Sequence, residues 1–550
     1  MKKIFSIALG LAIVGALLSS CSKNAFEEKF YDPSKTTSVT CDKLMTGMFY
    51  VSIDVYKSYG YTAYWRLYTW EHHFAQLTQA IGYVHNSGSD YDIADSYATD
   101  RWNNFYELLA NFRRMQYTYD NESEADQAKD KIFLLISEAF LYDNLAQIVD
   151  VFGPVPFTKA GYLGITGSLE SSYAAYDSDE EIYTTMLSRL ETIYSEIGAI
   201  KNNISASLQA SLTAQDFIND GDLDKWQRYV NSLRLRLAVH VSAQGNLTST
   251  GKSAATAAAS GLLVTSLENA TIGKVNENTA GGGFKFWEHY RDGFSGDDFR
   301  NAVASQPVID AMRITGQDDP RLKIFYHPTE NGSFKGLSVE ESSADQNTNY
   351  TKMTEKWANR VYSTLDSVTF IGNGLRENYV MSPAEVYFLL AESYQQGYIS
   401  GGDAKAAFKN GVKYSILQYY AVNMNSVACG NMSWYRHYKA TTAPTDAEID
   451  AYAEAVWAAY PNKLQAIMTQ KWLHLWLLDA HESWTDIRRT GYPALDHPTD
   501  TQAKDSPNIR QRITYPMVEM NNNTANYNDA AAKVDNDSAD YVLFWAKKVN

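Results

Sequence analysis

Helix-start signals recur along the sequence and constrain its fold more than any other feature. Ser382, Pro383 and Glu385 form a capping box, in which the serine hydroxyl accepts from a free backbone N–H and the glutamate reaches back to the cap residue's amide. Proline takes the first helical position, where no amide hydrogen is needed. The same box recurs twice, as Ser178 with Glu181 and as Thr445 with Glu448. These signals predict a mainly α fold.

Several predicted helices are apolar on more than one face. Between Lys131 and Asp150 there are two stripes at helical spacing: Leu134, Leu141, Leu145 and Ile148, and Ile132, Ile136, Ala139 and Tyr142. A helix with two apolar stripes packs between two neighbours, as in stacked helical hairpins. Segments 383–396 and 404–420, joined by a short Gly-containing loop, are predicted to form one hairpin of tetratricopeptide size. A further helix is predicted over 223–241. No strict repeat is visible, so we expect degenerate tetratricopeptide-like hairpins in one large body.

Long polar segments containing glycine and aromatic residues separate the predicted helices. They are residues 56–100, 153–177, 245–300 and 327–380. Loops of this length in a compact body are usually functional or disordered, and their aromatic side chains favour function. The sequence therefore predicts long irregular loops.

The N-terminus has the pattern of a lipoprotein signal peptide. Lys2 and Lys3 precede an apolar run from Ile4 to Leu18, and small residues lead to Cys21. The thiol of Cys21 is the predicted site of lipidation. The alternative is a transmembrane anchor, but the run is shorter than the roughly 20 residues that span a bilayer. We therefore expect a secreted protein held on a membrane by its lipid.

Charge and length limit the other partners. Removing the predicted signal peptide, residues 1–20, leaves 46 basic and 64 acidic residues, a net charge of −18. A body this acidic, without any basic run, would be repelled by nucleic acid and by an anionic membrane surface. No linker rich in Gly, Pro and Ser divides the remaining 530 residues, so residues 21–550 are predicted to be a single compact unit.

The sequence lacks the common catalytic and cofactor motifs. It has no G-x-S-x-G elbow, H-E-x-x-H, C-x-x-C pair or phosphate-binding glycine loop. His481 and Glu482 begin like a zinc-protease motif, but no second histidine follows. His72 and His73 are adjacent and would point apart on a helix. We predict no catalytic residue, metal or cofactor, although 64 acidic residues always allow some carboxylate pair that suits glycoside hydrolysis.

Two local patterns leave alternatives open. Asp220, Asp222 and Asp224 alternate in a way that suits calcium, but the distal glutamate of an EF-hand is missing, and a helix-capping turn is favoured. Cys41 and Cys429 could form a disulfide in an oxidising compartment, but nothing in the sequence pairs them, and buried free thiols are the default.

Aromatic residues are abundant, with 39 Tyr, 12 Trp and 22 Phe. Their rings stack on the apolar faces of sugars or on peptide side chains, so this composition suits a binding surface. The alternative is that a large helical core absorbs them. Five aromatics at helical spacing among aliphatic residues are assigned to the core: Trp102, Tyr106, Trp226, Trp472 and Trp476.

Motifs in order along the chain resemble the SusD/RagB family of nutrient-binding outer-membrane lipoproteins. The most specific is Gly221-Asp222 through Lys225-Trp226 to Asn231–Ala238. The others are Phe26-Glu27-Glu28 with Tyr31-Asp32-Pro33, Val151–Phe157, Glu180–Tyr183, Ser382–Glu392, Gln470-Lys471-Trp472 through Trp484 to Arg488–Pro493, and Tyr515-Pro516 with Glu519. The sequence departs from the family pattern at Lys29-Phe30, where polar residues are commoner, and at Pro154, where an acidic residue is usual.

The resemblance implies a helical, tetratricopeptide-like body facing outward on the outer membrane. It implies a SusC-like TonB-dependent transporter as partner, to which oligosaccharides, or in the RagB case peptides, are delivered without catalysis. Glycan capture for import is the favoured hypothesis. Peptide capture, a surface glycoside hydrolase and a purely structural lipoprotein are the alternatives.

In that family, ligand contacts come from variable segments after the first helices and after the Asn-Ser-Leu-Arg helix. Here these are about residues 60–97, the first ligand segment, and 281–300, the second ligand segment. Three glycines, 281–283, would let the second segment lie close to a ligand. The candidate ligand-binding residues, chosen by loop position and ring type, are Trp65, Tyr68, Tyr83, Trp287 and Tyr290.

Overall fold

A computed structural model describes residues 39–54, 72–83, 95–273, 302–355, 359–371, 373, 378–427, 438–476, 479–495 and 510–547. Within them the chain is mainly helical, as the sequence predicts. The helices are α1 Cys41–Asp54, α2 His72–Leu77, α3 Asp95–Asp120, α4 Glu124–Phe152, α5 Leu163–Thr166, α6 Asp179–Lys201, α7 Ala206–Gln215, α8 Leu223–His240, α9 Thr248–Ala259, α10 Gln306–Ala311, α11 Leu322–Phe325, α12 Ser343–Glu355, α13 Pro383–Gln395, α14 Ala404–Met424, α15 Asp446–Ala459, α16 Lys463–Leu475, α17 Ala480–Thr490, α18 Met517–Asn522 and α19 Thr524–Lys533.

Helix α4 lies between neighbouring helices, as its two apolar stripes predict. It begins at the cap residue Ser123, whose hydroxyl accepts from the Asp126 amide, and it packs against α3 and α6. Both predicted stripes face the core; only Leu134 is partly exposed. By length and composition α4 could cross a membrane, but 83% of its most apolar window is buried within the protein. It is therefore a core helix.

Helices α13 and α14 form the predicted hairpin. Helix α15 packs against α14, and α16 packs against both helices of the hairpin. Tyr387 and Tyr414 stack across the hairpin with ring centroids 5.6 Å apart. Lysines spaced four residues apart on α14 meet acidic residues spaced four apart on α15. The pairs are Lys405–Glu454, Lys409–Asp450 and Lys413–Asp446. This ladder sets α15 antiparallel to α14.

The capping prediction is confirmed at two helices and needs correction at the third. Both reciprocal bonds are present at Ser178 and at Thr445. Ser382 also caps its helix, with its hydroxyl accepting from the Glu385 amide. The carboxylate of Glu385 instead accepts from Arg236 of α8, at 2.6 and 2.8 Å. A buried arginine is the stronger partner, because a charged acceptor and a charged donor face each other out of water.

All four segments predicted as loops contain helices. Helix α2 and the start of α3 lie inside 56–100, α5 lies inside 153–177, α9 lies inside 245–300 and α12 lies inside 327–380. Helices α9 and α12 lack a stripe of large apolar residues, the signal on which the prediction rests. Helix α9, for example, buries only small residues: Gly251, Ala254, Ala255 and Ala258. Such packing gives little hydrophobic periodicity to detect.

The described strands are short and form three small sheets. They are β1 Gly82–Tyr83, β2 Val155–Pro156, β3 Tyr176–Asp177, β4 Thr271–Gly273, β5 Ala302–Val303, β6 Tyr326–His327, β7 Thr364–Leu365 and β8 Asn378–Met381. The four-stranded sheet has the order β1-β5-β7-β6, and β2 pairs with β3 and β4 with β8. These sheets join segments that are far apart in sequence.

Candidate functional site

The structure describes residues 72–83 and 95–97 of the first ligand segment, and the second ligand segment lies outside the described residues. Cys21, Trp65, Tyr68, Trp287 and Tyr290 lie outside the described residues. Tyr83 lies in β1, where its backbone pairs with that of Ala302. The first segment also includes α2 and the start of α3.

Strand pairing sets part of the first ligand segment beside the residues that follow the second in the chain. β1 and β5 are antiparallel, with Gly82 opposite Val303 and Tyr83 opposite Ala302. The chain therefore leaves β1 at the same end of the pair at which it arrives in β5. The second segment, as predicted, ends two positions before Ala302 in the chain, and Tyr83 of the first segment lies opposite Ala302. Two residues per strand are too few to be detected as strands in the sequence.

Close backbone packing holds this strand pair. A Cβ added to Gly82 would lie 2.8 Å from Leu337 Cβ, and one added to Gly336 would lie 2.2 Å from the carbonyl carbon of Ser305. The Leu337 amide donates to the Ala304 carbonyl at 2.8 Å, and Ser305 and Leu337 form a parallel bridge. Glycine is required at both positions, because any side chain would push the neighbouring backbone away.

Three consecutive backbone carbonyls before β1 accept hydrogen bonds from side chains of the body. The Trp472 indole N–H donates to the Thr78 carbonyl at 3.1 Å. Ser305 Oγ donates to the Gln79 carbonyl at 2.5 Å, and the Trp476 indole N–H donates to the Ala80 carbonyl at 2.9 Å. We call these three carbonyl groups the carbonyl triplet. It attaches the first ligand segment both to the end of α16 and to the residues after β5.

Trp476 has a positive φ angle and packs within an aromatic cluster. It follows α16 with φ 39°, a left-handed conformation that costs a bulky residue about 1–3 kcal/mol. Its ring lies 4.8 Å, centroid to centroid, from both Phe325 and Phe370. Its indole N–H also contacts the Tyr326 hydroxyl at 3.1 Å. The sequence analysis assigns Trp476 and Trp472 to the core, and both are buried. Their role as donors to a distant loop was not predicted.

Trp102 and Trp226 are buried as well, which confirms their assignment. Tyr106 packs at the edge of the core and donates its hydroxyl to the Pro156 carbonyl at 2.8 Å.

A buried network of charged groups lies between α4, α8 and α13. Arg236 donates to both oxygens of Glu385 and, at 3.1 Å, to Asp143. Burial opposes the charge of Arg236, but Glu385 and Asp143 raise its pKa above the usual value. The network therefore keeps its ions paired inside the core.

His240 extends this network toward α17. Its Nε2 lies 3.0 Å from Glu482 Oε1, and its Nδ1 lies 3.4 Å from Asp150 Oδ2. The Tyr183 hydroxyl donates to the other oxygen of Asp150 at 2.5 Å. Burial alone would lower the pKa of His240, but Glu482 and Asp150 together raise it to about 9. At neutral pH His240 is therefore a buried imidazolium between two carboxylates.

Two clusters of potential metal ligands occur among the described residues. Ligand atoms of His240, Glu482 and Asp486 lie within 4.8 Å of one another. The ammonium of Lys471 lies 2.9 Å from Glu482 Oε1 and 2.8 Å from Asp486 Oδ2, so a protein cation already neutralises these carboxylates. This cluster is an ion-pair network.

The second cluster contains Cys41, Glu122 and Asp130. Cys41 is a buried free thiol, in agreement with the sequence, and its Sγ lies 3.6 Å from Glu122 Oε1. Burial and the two carboxylates raise the pKa of the thiol, which keeps it protonated. Cys429 lies outside the described residues.

The aspartate-rich turn before α8 is a capping turn, as favoured. Asp222 Oδ1 accepts from the amides of Asp224 and Lys225 at 2.9 and 3.2 Å. Nearby, the buried carboxylate of Asp216 accepts from the Trp226 indole at 2.6 Å and from three backbone amides.

The histidines considered as metal ligands in the sequence give no metal site in the described residues. His481 Nδ1 lies 3.0 Å from Asp479 Oδ1. The side chains of His72 and His73 lie outside the described residues.

Comparison with known proteins identifies the architecture. The family model SusD-like_2, described as starch-binding and associating with the outer membrane, matches residues 33–516. No protein of curated function matches the chain significantly in sequence. Three solved structures share the fold. A chitin-binding protein has a TM-score of 0.69 and 21% identity, over 91% of this chain and 99% of that chain. A SusD homologue from Parabacteroides distasonis has a TM-score of 0.70 and 20% identity, over 93% and 99%. A chitin-binding SusD homologue from Flavobacterium johnsoniae has a TM-score of 0.65 and 19% identity, over 92% and 99%.

Proposed function

The chain belongs to the SusD-like family, and from that membership we propose that it is a cell-surface lipoprotein that captures glycans and delivers them to a SusC-like TonB-dependent transporter. The family description supports a carbohydrate ligand and a place at the outer membrane. The signal peptide ending at Cys21 supports attachment by lipid.

We place the glycan site beside the pair of β1 and β5, between the two ligand segments. The observation that carries this proposal is the register of β1 and β5, because it sets Tyr83 of the first segment opposite Ala302, two positions after the second segment. Both segments are rich in aromatic residues, and aromatic rings stack on the apolar faces of sugar rings. Trp65, Tyr68, Tyr83, Trp287 and Tyr290 are the proposed contacts.

Charge favours a neutral ligand. The mature chain carries a net charge of −18, which repels uronic acids and sulfated sugars at low ionic strength. A neutral oligosaccharide approaches without that penalty. We therefore expect neutral glycans to bind more tightly than anionic glycans of similar length.

Three carboxylates that the structure describes in the core are not available for hydrolysis. Glycoside hydrolysis needs two carboxyl groups that flank an open sugar site. Glu385 is paired with Arg236, Glu482 with Lys471, and Glu392 with Arg489. Each pair is buried, so these groups stabilise the fold rather than face a substrate.

The proposal is tested by calorimetric titration of a protein of residues 22–550 with soluble glycans and with oligopeptides, which measures the affinity for each. The glycan set contains neutral starch- and chitin-derived oligosaccharides and anionic uronic acid oligomers. Binding of one neutral glycan, with no release of reducing ends, is expected. Binding of peptides alone would replace glycan capture by peptide capture, and release of reducing ends would show a hydrolase.

Delivery is tested separately by gentle detergent extraction. The full-length lipoprotein is expected to copurify with a large outer-membrane barrel encoded beside it. A monomer without a barrel, despite coexpression of the neighbouring transporter, would contradict the proposed partner.

A further inference from the structure

We propose that Trp472, Trp476 and Ser305 are positioning residues. Through the carbonyl triplet they hold β1, which lies in the first ligand segment, in register with β5, which follows the second segment in the chain. The inference rests on the proposed function, because it gives these residues a role in ligand affinity. None of the three needs to contact the ligand.

The hydrogen bonds of the triplet are unusual, because its backbone carbonyls accept from distant side chains and not from other backbone amides. The amides that precede β1 are satisfied locally: those of Ala80 and Ile81 both donate to the Ala75 carbonyl. The carbonyls of Thr78, Gln79 and Ala80 accept instead from three side chains of two distant elements. Two donors follow the triplet by almost 400 positions in the chain. Local bonds thus shape this loop, and the side chains of distant elements attach it to the body.

Burial makes these contacts hard to replace. Trp476 is fully buried, and Trp472 and Ser305 are each 3% exposed. A carbonyl that loses such a donor is left without water to take its place, which costs the desolvation of the group. The triplet thus has one well-defined arrangement, and other positions of the loop are unfavourable.

The triplet lies within the first ligand segment, and one of its donors, Ser305, follows the second segment by five positions in the chain. Ala80 is three residues before Tyr83, which pairs with Ala302 at the end of the second segment. Ser305, which holds the Gln79 carbonyl, is three residues after Ala302. One set of contacts therefore fixes both strands of the pair. A ligand that touches both segments gains affinity when the segments are already held in place, because less freedom is lost on binding.

Trp→Phe substitutions remove the indole N–H but keep an aromatic ring. Trp476→Phe and Trp472→Phe each free one carbonyl of the triplet. Trp545→Phe is the matched control, because Trp545 is also fully buried and its indole N–H has no hydrogen-bond partner within the described part of the chain. Ser305 is left unchanged, since its hydroxyl also accepts from the Val308 amide and caps α10.

Two readouts separate this inference from the proposed function. The first is hydrogen exchange of the peptides that contain residues 78–83 and 302–305. Exchange is expected to be about fivefold faster in Trp476→Phe and Trp472→Phe than in Trp545→Phe. The second is affinity for the glycan that the wild type binds, which is expected to fall about fivefold in the same two variants relative to the control.

Equal exchange in the variants and the control would overturn the inference. So would faster exchange with unchanged glycan affinity, since the contacts would then be structural only. If the wild type binds no glycan, the proposed function fails, and the exchange data alone decide whether the three residues hold the strand pair in register.

Discussion

Replacing His240 with glutamine should change how stability depends on pH. The folded protein holds His240 with a pKa of about 9, against 6.5 for an ordinary histidine. A raised pKa stabilises the folded state fully below pH 6.5, and the stabilisation is lost as the pH rises through 9. At about 1.4 kcal/mol per pH unit, the protonated imidazole contributes about 3 kcal/mol at pH 6. His240 is fully buried, so solvent screening does not reduce this value.

Melting temperatures of the wild type and His240→Gln, measured from pH 3 to pH 10, give the test. The variant should melt well below the wild type at pH 6, and the two should converge toward pH 10. His474→Gln is the control, because the pKa of His474 is shifted in the opposite direction from that of His240. Burial, with Arg321 and Lys471 nearby, lowers the pKa of His474 to about 3. Below pH 6.5 His474 takes up a proton in the unfolded chain but not in the folded chain, so wild-type stability falls toward pH 3. In His474→Gln this loss of stability at acid pH should be smaller, with no change at higher pH. A difference between His240→Gln and the wild type that is the same at pH 6 and pH 10 would refute the reasoning.

Three further predictions concern single contacts. Arg489→Met leaves the fully buried Glu392 without its cation and should cost about 3–5 kcal/mol in chemical denaturation; a loss under about 1 kcal/mol would show that the pair adds little. Asp222→Ala removes the cap of α8 and should cost about 0.5–2 kcal/mol, while a calcium chelator leaves the wild-type melting temperature unchanged; a chelator effect would restore the calcium alternative. Cys21→Ala should release the mature protein from the membrane fraction, and its retention after a high-salt wash would show another means of attachment.

The helical parts of the fold were predictable because their signals are local. Capping residues lie within three positions of each other, and the stripes of α4 repeat every three or four residues. These signals correctly give the hairpin of α13 and α14 and the capping turn at Asp222. Helix α12, with few apolar residues, gives no such signal.

The buried charges and the carbonyl triplet could not be predicted, because each depends on partners far away in sequence. Arg236 and Glu385 are 149 positions apart, and Glu385 satisfies a capping pattern that its side chain does not use. Trp476 and Ala80 are 396 positions apart. The sequence indicates that a tryptophan lies in the core, but it does not indicate which carbonyl accepts a hydrogen bond from its indole N–H.

If aromatic rings of the two ligand segments bind a glycan, Trp287→Ala should weaken that binding. Removing an exposed ring that stacks on sugar should cost on the order of 1–3 kcal/mol of binding and leave the fold intact. Glycan affinity and melting temperature are therefore measured on the same preparation of the variant. We expect affinity to fall at least several-fold with an unchanged melting temperature. A large drop in melting temperature with unaltered affinity would assign Trp287 to the core and contradict the proposed site.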